Sequence, residues 1–251
     1  MKPFALIRSG VLAIVLAMSG GAAWAQEKKS GEWEYDLVPL YLWGMSIDGS
    51  TRMGPVTAPL NIRFKDAVED LSGVFTFYFE GHNARWGYYT NFSWIKLTPD
   101  SELPTGRTVS VDFRNPLIEV AGLYRLGEPG RSPWWLVGGV RYMGLHIDVT
   151  GIPSPPLPFN SLNAREDITD GFIGGRFRQK LSDRWELTAQ GDVGTGTSDL
   201  VWSASALFNY RFNKTVGALA GWRWLDYDVN KTDFVYDAMM SGPILAVTFH
   251  W

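Results

Sequence analysis

The run Gly242-Pro243-Ile244-Leu245-Ala246-Val247-Thr248-Phe249-His250-Trp251 constrains this chain more than any other segment. In steps of two, Leu245, Val247, Phe249 and Trp251 are apolar, with Ala246, Thr248 and His250 between them. Period two marks a strand with one apolar face. Ordinary domains fray at their ends, yet here an amphipathic strand runs to a final aromatic. Such a strand is what a transmembrane β-barrel offers to its insertion machinery, and it would also close the barrel onto the first strand. Leu245, Val247, Phe249 and Trp251 are therefore the expected insertion signal.

The alternation recurs along the chain. Trp33, Tyr35, Leu37, Pro39, Tyr41, Trp43, Met45 and Ile47 share one face of a first strand, opposite Glu32, Glu34, Asp36, Ser46 and Asp48. Two strands meet at the tight turn Asn83-Ala84-Arg85-Trp86. Pairing about it sets Phe77 beside Phe92 and Phe75 beside Trp94, and on the other face Tyr78 beside Asn91 and Glu80 beside Tyr89. Further strands are expected over 108–126, 134–149, 169–181, 185–195, 200–212, 216–229 and 234–251. Val56 to Phe64 reads as an extra strand within an outer or lumen-folded loop, and Lys65 to Leu71 as one or two helical turns. The fold expected is all-β, a transmembrane antiparallel up-and-down β-barrel of about ten strands, with eight or twelve as alternatives. Trp33, Tyr41, Trp43, Phe75, Phe77, Phe92, Trp94, Trp222, Trp224, Phe249 and Trp251 are expected on its lipid face.

Composition agrees. Mean hydropathy is near zero, yet there are 12 Trp, 10 Tyr and 14 Phe. Half-apolar strands with aromatic girdles have this average. Cysteine is absent, so there are no disulfides and no thiolate-held metal. Lys2 and Arg8, the apolar stretch Val11 to Met18 and the small-x-small site Ala23-Trp24-Ala25 read as a secretory signal peptide. The expected division is a signal peptide over 1–25 and a barrel domain over 26–251. A formal net charge of -3, more acidic once Lys2 and Arg8 are removed, argues against a nucleic-acid partner.

The phrases DGFIGGRFRQKLSDRWELTAQGDVG from Asp170, LVWSASALFNYRF, GALAGWRWLDYDV and SGPILAVTFHW, with WEYDLVPLYLWGMSIDG and FEGHNARWGYYTNFSWIKL before them, together resemble a family of proteobacterial outer-membrane β-barrel proteins in the OmpA/OmpW-like barrel superfamily. The resemblance covers nearly all of the mature chain. It implies residence in the cell outer membrane, contact with lipid and lipopolysaccharide, and no particular activity.

The inward face carries the richest constellation. Glu119 and Arg141 fall opposite each other about Gly130, Arg176 and Asp192 about one diagonal apart, and Glu80 and Arg223 at similar heights. Buried charges must be paired, and a barrel this narrow is filled by its own side chains, so an ion-pair network in the lumen is expected. Asp226, Asp228, Asp233 and Asp237 gather at the outer rim, with Asp226 expected beside Asp237. Adjacent carboxylates invite a hard cation such as Ca²⁺, which could bridge lipopolysaccharide phosphates. His146 with Asp148 is the minimal catalytic candidate, but the sequence has no phosphate loop, paired-histidine motif or nucleophile elbow. Neither a cofactor nor enzymatic activity is expected. The reading is a structural barrel, or one passing small solutes. The alternatives are a surface adhesin acting through Gly49–Gly73 and Gly151–Asn163, and an outer-membrane protease or lipid-modifying enzyme.

Overall fold

A computed structural model describes residues 32–251 apart from 54–55, 99, 103–107, 130, 151–160 and 233. The proposed signal peptide lies outside the described residues. The strands are β1 (Glu34–Val38), β2 (Tyr41–Trp43), β3 (Ser46–Met53), β4 (Val56–Ile62), β5 (Leu71–His82), β6 (Trp86–Leu97), β7 (Asp100–Glu102), β8 (Thr108–Arg125), β9 (Trp134–Thr150), β10 (Ser161–Lys180), β11 (Trp185–Gly196), β12 (Leu200–Arg211), β13 (Val216–Asn230) and β14 (Phe234–His250). One short helix, α1 (Phe64–Glu69), precedes β5. Each long strand pairs antiparallel with its neighbours in sequence, and β1 joins both β5 and β14. The result is a closed transmembrane barrel of ten strands, in which β1, β2 and β3 together make the first. Closure leaves no open edge through the membrane, where an unpaired backbone group would cost several kcal/mol.

The turns at one end share a local device. Asn83 Oδ1 accepts the N–H groups of Arg85 and Trp86, both at 2.8 Å. Asn213 Oδ1 does the same for Thr215 and Val216, and Ser182 Oγ for Arg184 and Trp185. Asn and Ser favour these turns because their side-chain oxygens stand in for a backbone carbonyl. Exposed Trp33, Trp86, Trp134, Trp185 and Trp251 ring this turn end, as an interfacial aromatic girdle should. Leu136, Val140, Ile173, Val193, Leu245 and Val247 form the outward apolar belt next to it.

The first strand departs from simple alternation. Leu37 pairs with Phe249, but Tyr41 pairs with Ala246, so one extra residue enters at Pro39-Leu40. Proline cannot donate to the ladder, and the slip reverses which side chains point inward. Tyr41 and Trp43 are consequently buried, while Leu40 and Leu42 are exposed. This corrects the expectation that Tyr41 and Trp43 face lipid. The backbone ladder to β5 ends at Val38–Tyr78. Above it the Thr76 hydroxyl accepts the Tyr41 N–H at 2.7 Å and donates to the Tyr41 carbonyl at 2.5 Å.

Phe75, Trp222, Trp33 and Trp251 are exposed on the outward face, and Phe77, Phe92, Trp94, Trp224 and Phe249 lie half-buried on the same phase. The expected extra strand is β4, hairpinned onto β3, and the expected helical turns are α1. β10 starts at Ser161, eight residues before the expected boundary at Thr169.

Candidate functional site

The lumen has three layers. At the turn end, Arg178 reaches three carboxylates: its Nε donates to Glu186 at 2.7 Å, Nη1 to Glu80 at 2.8 Å and Nη2 to Asp36 at 2.7 Å. Arg176, on the same inward phase of β10, donates to Glu80 at 2.6 Å and Gln190 at 2.9 Å. His250 meets Asp36 at 2.5 Å and Thr248 at 2.9 Å. Asp36 and His250 are directly opposed across the junction of first and last strands, so this contact ties the barrel shut.

The central layer is built around Glu119. It accepts Arg141 Nε at 2.6 Å, Arg223 Nη2 at 2.7 Å and Asn91 Nδ2 at 2.7 Å. Arg141 spans onward to Asp192 at 2.8 Å. Arg141 is 1 % exposed and Glu119 3 %, so their charges depend on each other rather than on bulk water. The Tyr41 hydroxyl donates to Asn91 at 2.9 Å, and the Arg223 guanidinium lies over Trp43 with 5.2 Å to the ring centroid. Two cations and two carboxylates thus form a neutral set, Glu119, Asp192, Arg141 and Arg223. A cavity of about 150 Å³ lies between this layer and the turn-end network, touching Glu119, Arg223, Arg176, Arg178 and His250.

The third layer, towards the loop end, is apolar. Met143, Ile168, Val201, Leu225, Tyr227 and Val229 are fully buried inside the barrel and pack with Met45, Ile47, Leu117, Leu145, Phe234, Tyr236 and Met240. Leu60 and Ile62 of β4 pack against the same cluster. The inward phase of these strands therefore changes from charged to apolar along its length, and the loop half of the lumen is a hydrophobic core.

The structure brings four of the six expected lumen charges together: Glu119, Arg141, Asp192 and Arg223. Glu80 and Arg223 belong to different layers, which corrects the expectation that they share one. Arg176 stands opposite Gln190 and pairs with Glu80, while Asp192 stands opposite Gly174 and pairs with Arg141. Sequence reasoning missed Asp36, Arg178, Glu186 and His250. Their signal was available, since Arg178 repeats Arg176 at i+2 and Asp36 lies on the polar phase of the first strand.

Other expected residues are placed as follows. Asp228 opposes Asp237, and Asp226 opposes Met239, which corrects the pairing of Asp226 with Asp237. Asp226 accepts the Trp202 indole N–H at 2.9 Å, and Asp233 lies outside the described residues. His146 and Asp148 sit on the outward phase of β9, with Asp148 bound to Arg114 at 2.8 Å. Leu245, Val247 and Trp251 are exposed and Phe249 half-buried, all on the outward phase. Asp36, Glu80 and His82 offer ligand atoms within 4.8 Å of one another. Arg178 and Arg176 already hold both carboxylates, so a cation there would have to displace a guanidinium fixed by several charge-assisted bonds.

No family model matches the chain, and no curated protein matches it. Among solved structures, the outer membrane protease OmpT from Escherichia coli is similar at 7% identity and a TM-score of 0.50, over 88% of this chain and 97% of that one. The translocator domain of autotransporter NalP from Neisseria meningitidis is similar at 11% identity and 0.38, over 87% and 88%. Neisserial surface protein A is similar at 11% identity and 0.32, over 86% and 96%. The likeness is one of fold: a Gram-negative outer-membrane β-barrel.

Proposed function

We propose that this chain is a structural barrel of the cell outer membrane, of the OmpA/OmpW-like kind, whose lumen is closed at rest. The carrying observation is the apolar layer of Met143, Ile168, Val201, Leu225, Tyr227 and Val229, fully buried across the loop half of the lumen. An aqueous path would have to wet these side chains, and each buried aliphatic side chain contributes about 1.5–3 kcal/mol by staying dry. The short-turn end is assigned to the periplasm and the loop end to the exterior, as in bacterial barrels of this type. The outward stripe Leu245, Val247, Phe249 and Trp251 supports recognition by the barrel insertion machinery. Catalysis is not assigned, because Asp148 is committed to Arg114 and leaves His146 without an oriented carboxylate.

The cavity between the central layer and the turn-end network favours a second reading, in which a small solute enters from the periplasm and passes when the apolar layer rearranges. Planar-bilayer conductance of the refolded protein tests both. The closed reading expects no steady current from the wild type and channel openings after Met143→Ala with Leu225→Ala. Stable wild-type conductance that varies with solute size would overturn it in favour of passage.

A further inference from the structure

The cavity between the central layer and the turn-end network exists because inward side chains differ in length around the barrel. β6 projects Tyr89 and Asn91 into the lumen, and β10 projects Arg176 and Arg178. Along the arc from β11 to β14 several are short: Thr188, Ser203, Ser205 and Ala246. Ser203 is held opposite Asp192, and Ser205 between Gln190 and Arg223. Short side chains do not reach across a barrel of ten strands, so about 150 Å³ stays open.

Its wall divides by chemistry. Leu207, Leu219, Ile244 and Ala246 make one apolar patch across β12, β13 and β14. Next to it, towards the loop end, stand polar groups whose hydrogen-bonding capacity the protein leaves unused. Arg223 is 8% exposed and gives Nη2 to Glu119, while its Nε and Nη1 have no acceptor among the described residues. The hydroxyls of Thr188, Ser203 and Ser205 also line the cavity without a partner among the described residues, and Ser203 is 6% exposed. Buried polar groups ordinarily find partners, so this set is completed by something other than the chain itself.

Charge and size narrow the class of ligand. At the turn end Arg176, Arg178 and Arg211 are matched by Asp36, Glu80 and Glu186. In the central layer Arg141 and Arg223 are matched by Glu119 and Asp192. With His250 neutral the lining is balanced, so an added charge of either sign would be buried without a counter-ion. A dry cavity of similar volume takes benzene, so this one holds roughly six non-hydrogen atoms. Water alone suits the polar groups but not the apolar patch, where it would lack the roughly two to four partners that a buried water takes. A small polyol suits both. Its C–H groups pack on Leu207 and Ile244, and its hydroxyls accept from Arg223 and exchange hydrogen bonds with the serines.

We propose that this cavity binds a neutral polyol of about three carbons, held by Arg223, Ser203 and Ser205. The proposal deepens the passage reading of the same cavity and rests on its entry from the turn end, where Glu186 and His250, at the ends of β11 and β14, line the cavity floor. Saturation-transfer NMR of the refolded protein in detergent tests it, with glycerol, glycerate and propan-1-ol as probes and protein-free micelles as the blank. Glycerol should bind saturably. Glycerate and propan-1-ol should bind about tenfold or more weakly, the first for its unpaired charge and the second for its missing hydroxyls. Ser203→Ala with Ser205→Ala should weaken glycerol binding about tenfold, as expected for two lost hydrogen bonds. Arg223→Lys, which keeps a cation beside Glu119 but removes the guanidinium fork, should weaken it similarly. Ser205→Met, which fills the space, should abolish it. Retained heat-modifiable gel mobility shows that each variant is folded. No saturable glycerol signal, meaning an ordered-water cluster only, would overturn the proposal. So would equal binding of the three probes, or unchanged binding by the folded double alanine variant. Binding in micelles needs no flux. Glycerol binding without swelling of proteoliposomes in glycerol leaves the proposal standing and removes the passage reading, whereas swelling without saturable binding removes the proposal alone.

Discussion

Glu119→Gln is the most informative perturbation of the lumen, because two arginines depend on this carboxylate. Arg141 keeps Asp192 at 2.8 Å after the change, but Arg223 loses its one ion pair among the described residues. Breaking a buried pair by removing one partner costs about 3–5 kcal/mol. The single variant should lose stability in that range, and less if water enters from the adjoining cavity. The partner chosen for the second substitution then decides the outcome. Glu119→Gln with Arg223→Met removes one charge of each sign and leaves Arg141 and Asp192 paired. It should return to within about 1–1.5 kcal/mol of the wild type, since only hydrogen bonds and cation–π contact are lost. Glu119→Gln with Arg141→Met also removes one charge of each sign, but it strands Arg223 and Asp192, which do not contact each other. That variant should stay about 3 kcal/mol or more below the wild type. Urea unfolding in detergent micelles, followed by tryptophan fluorescence and the heat-modifiable gel shift, measures all four proteins. Equal rescue by the two doubles, or strictly additive effects, would refute the idea that specific pairing governs the layer.

Spin labels at Leu40 and Leu42 should be quenched by lipid-borne reagents, whereas labels at Tyr41 and Trp43 should not, and the opposite pattern would remove the slip at Pro39-Leu40. Gly242→Ala should destabilise the barrel by several kcal/mol, because its added Cβ would overlap the Gly44 carbonyl oxygen; a melting curve matching the wild type would contradict this close approach. Val140→Arg, in the apolar belt, should cost about 2–4 kcal/mol in refolding titrations, since a cation near the bilayer midplane loses its hydration. Trp251→Asp, at the interface, should cost about 0–1 kcal/mol of stability and act instead on assembly rate in cells, so normal outer-membrane levels would count against an insertion role.

Within hairpins, the pairings were legible from residues alone. A tight turn and a period of two leave one register that separates aromatic from polar faces, and this places Phe77 with Phe92 and Glu119 with Arg141. The same reasoning missed by two residues at Asp237, because the unpatterned sequence Lys231-Thr232-Asp233 leaves the register open. It also missed the inversion at Tyr41 and Trp43, because one inserted residue reverses a two-residue period without changing composition. What sequence could not supply was the set of contacts across the lumen: Arg141 with Asp192, Arg223 with Glu119, Arg178 with Asp36 and Glu80. Those chords join strands far apart in the chain, and their heights are set by strand tilt and by the register at which the barrel closes. Alternation along the chain determines that a side chain points inward, whereas the partner it meets there is decided only once all ten strands have closed around it.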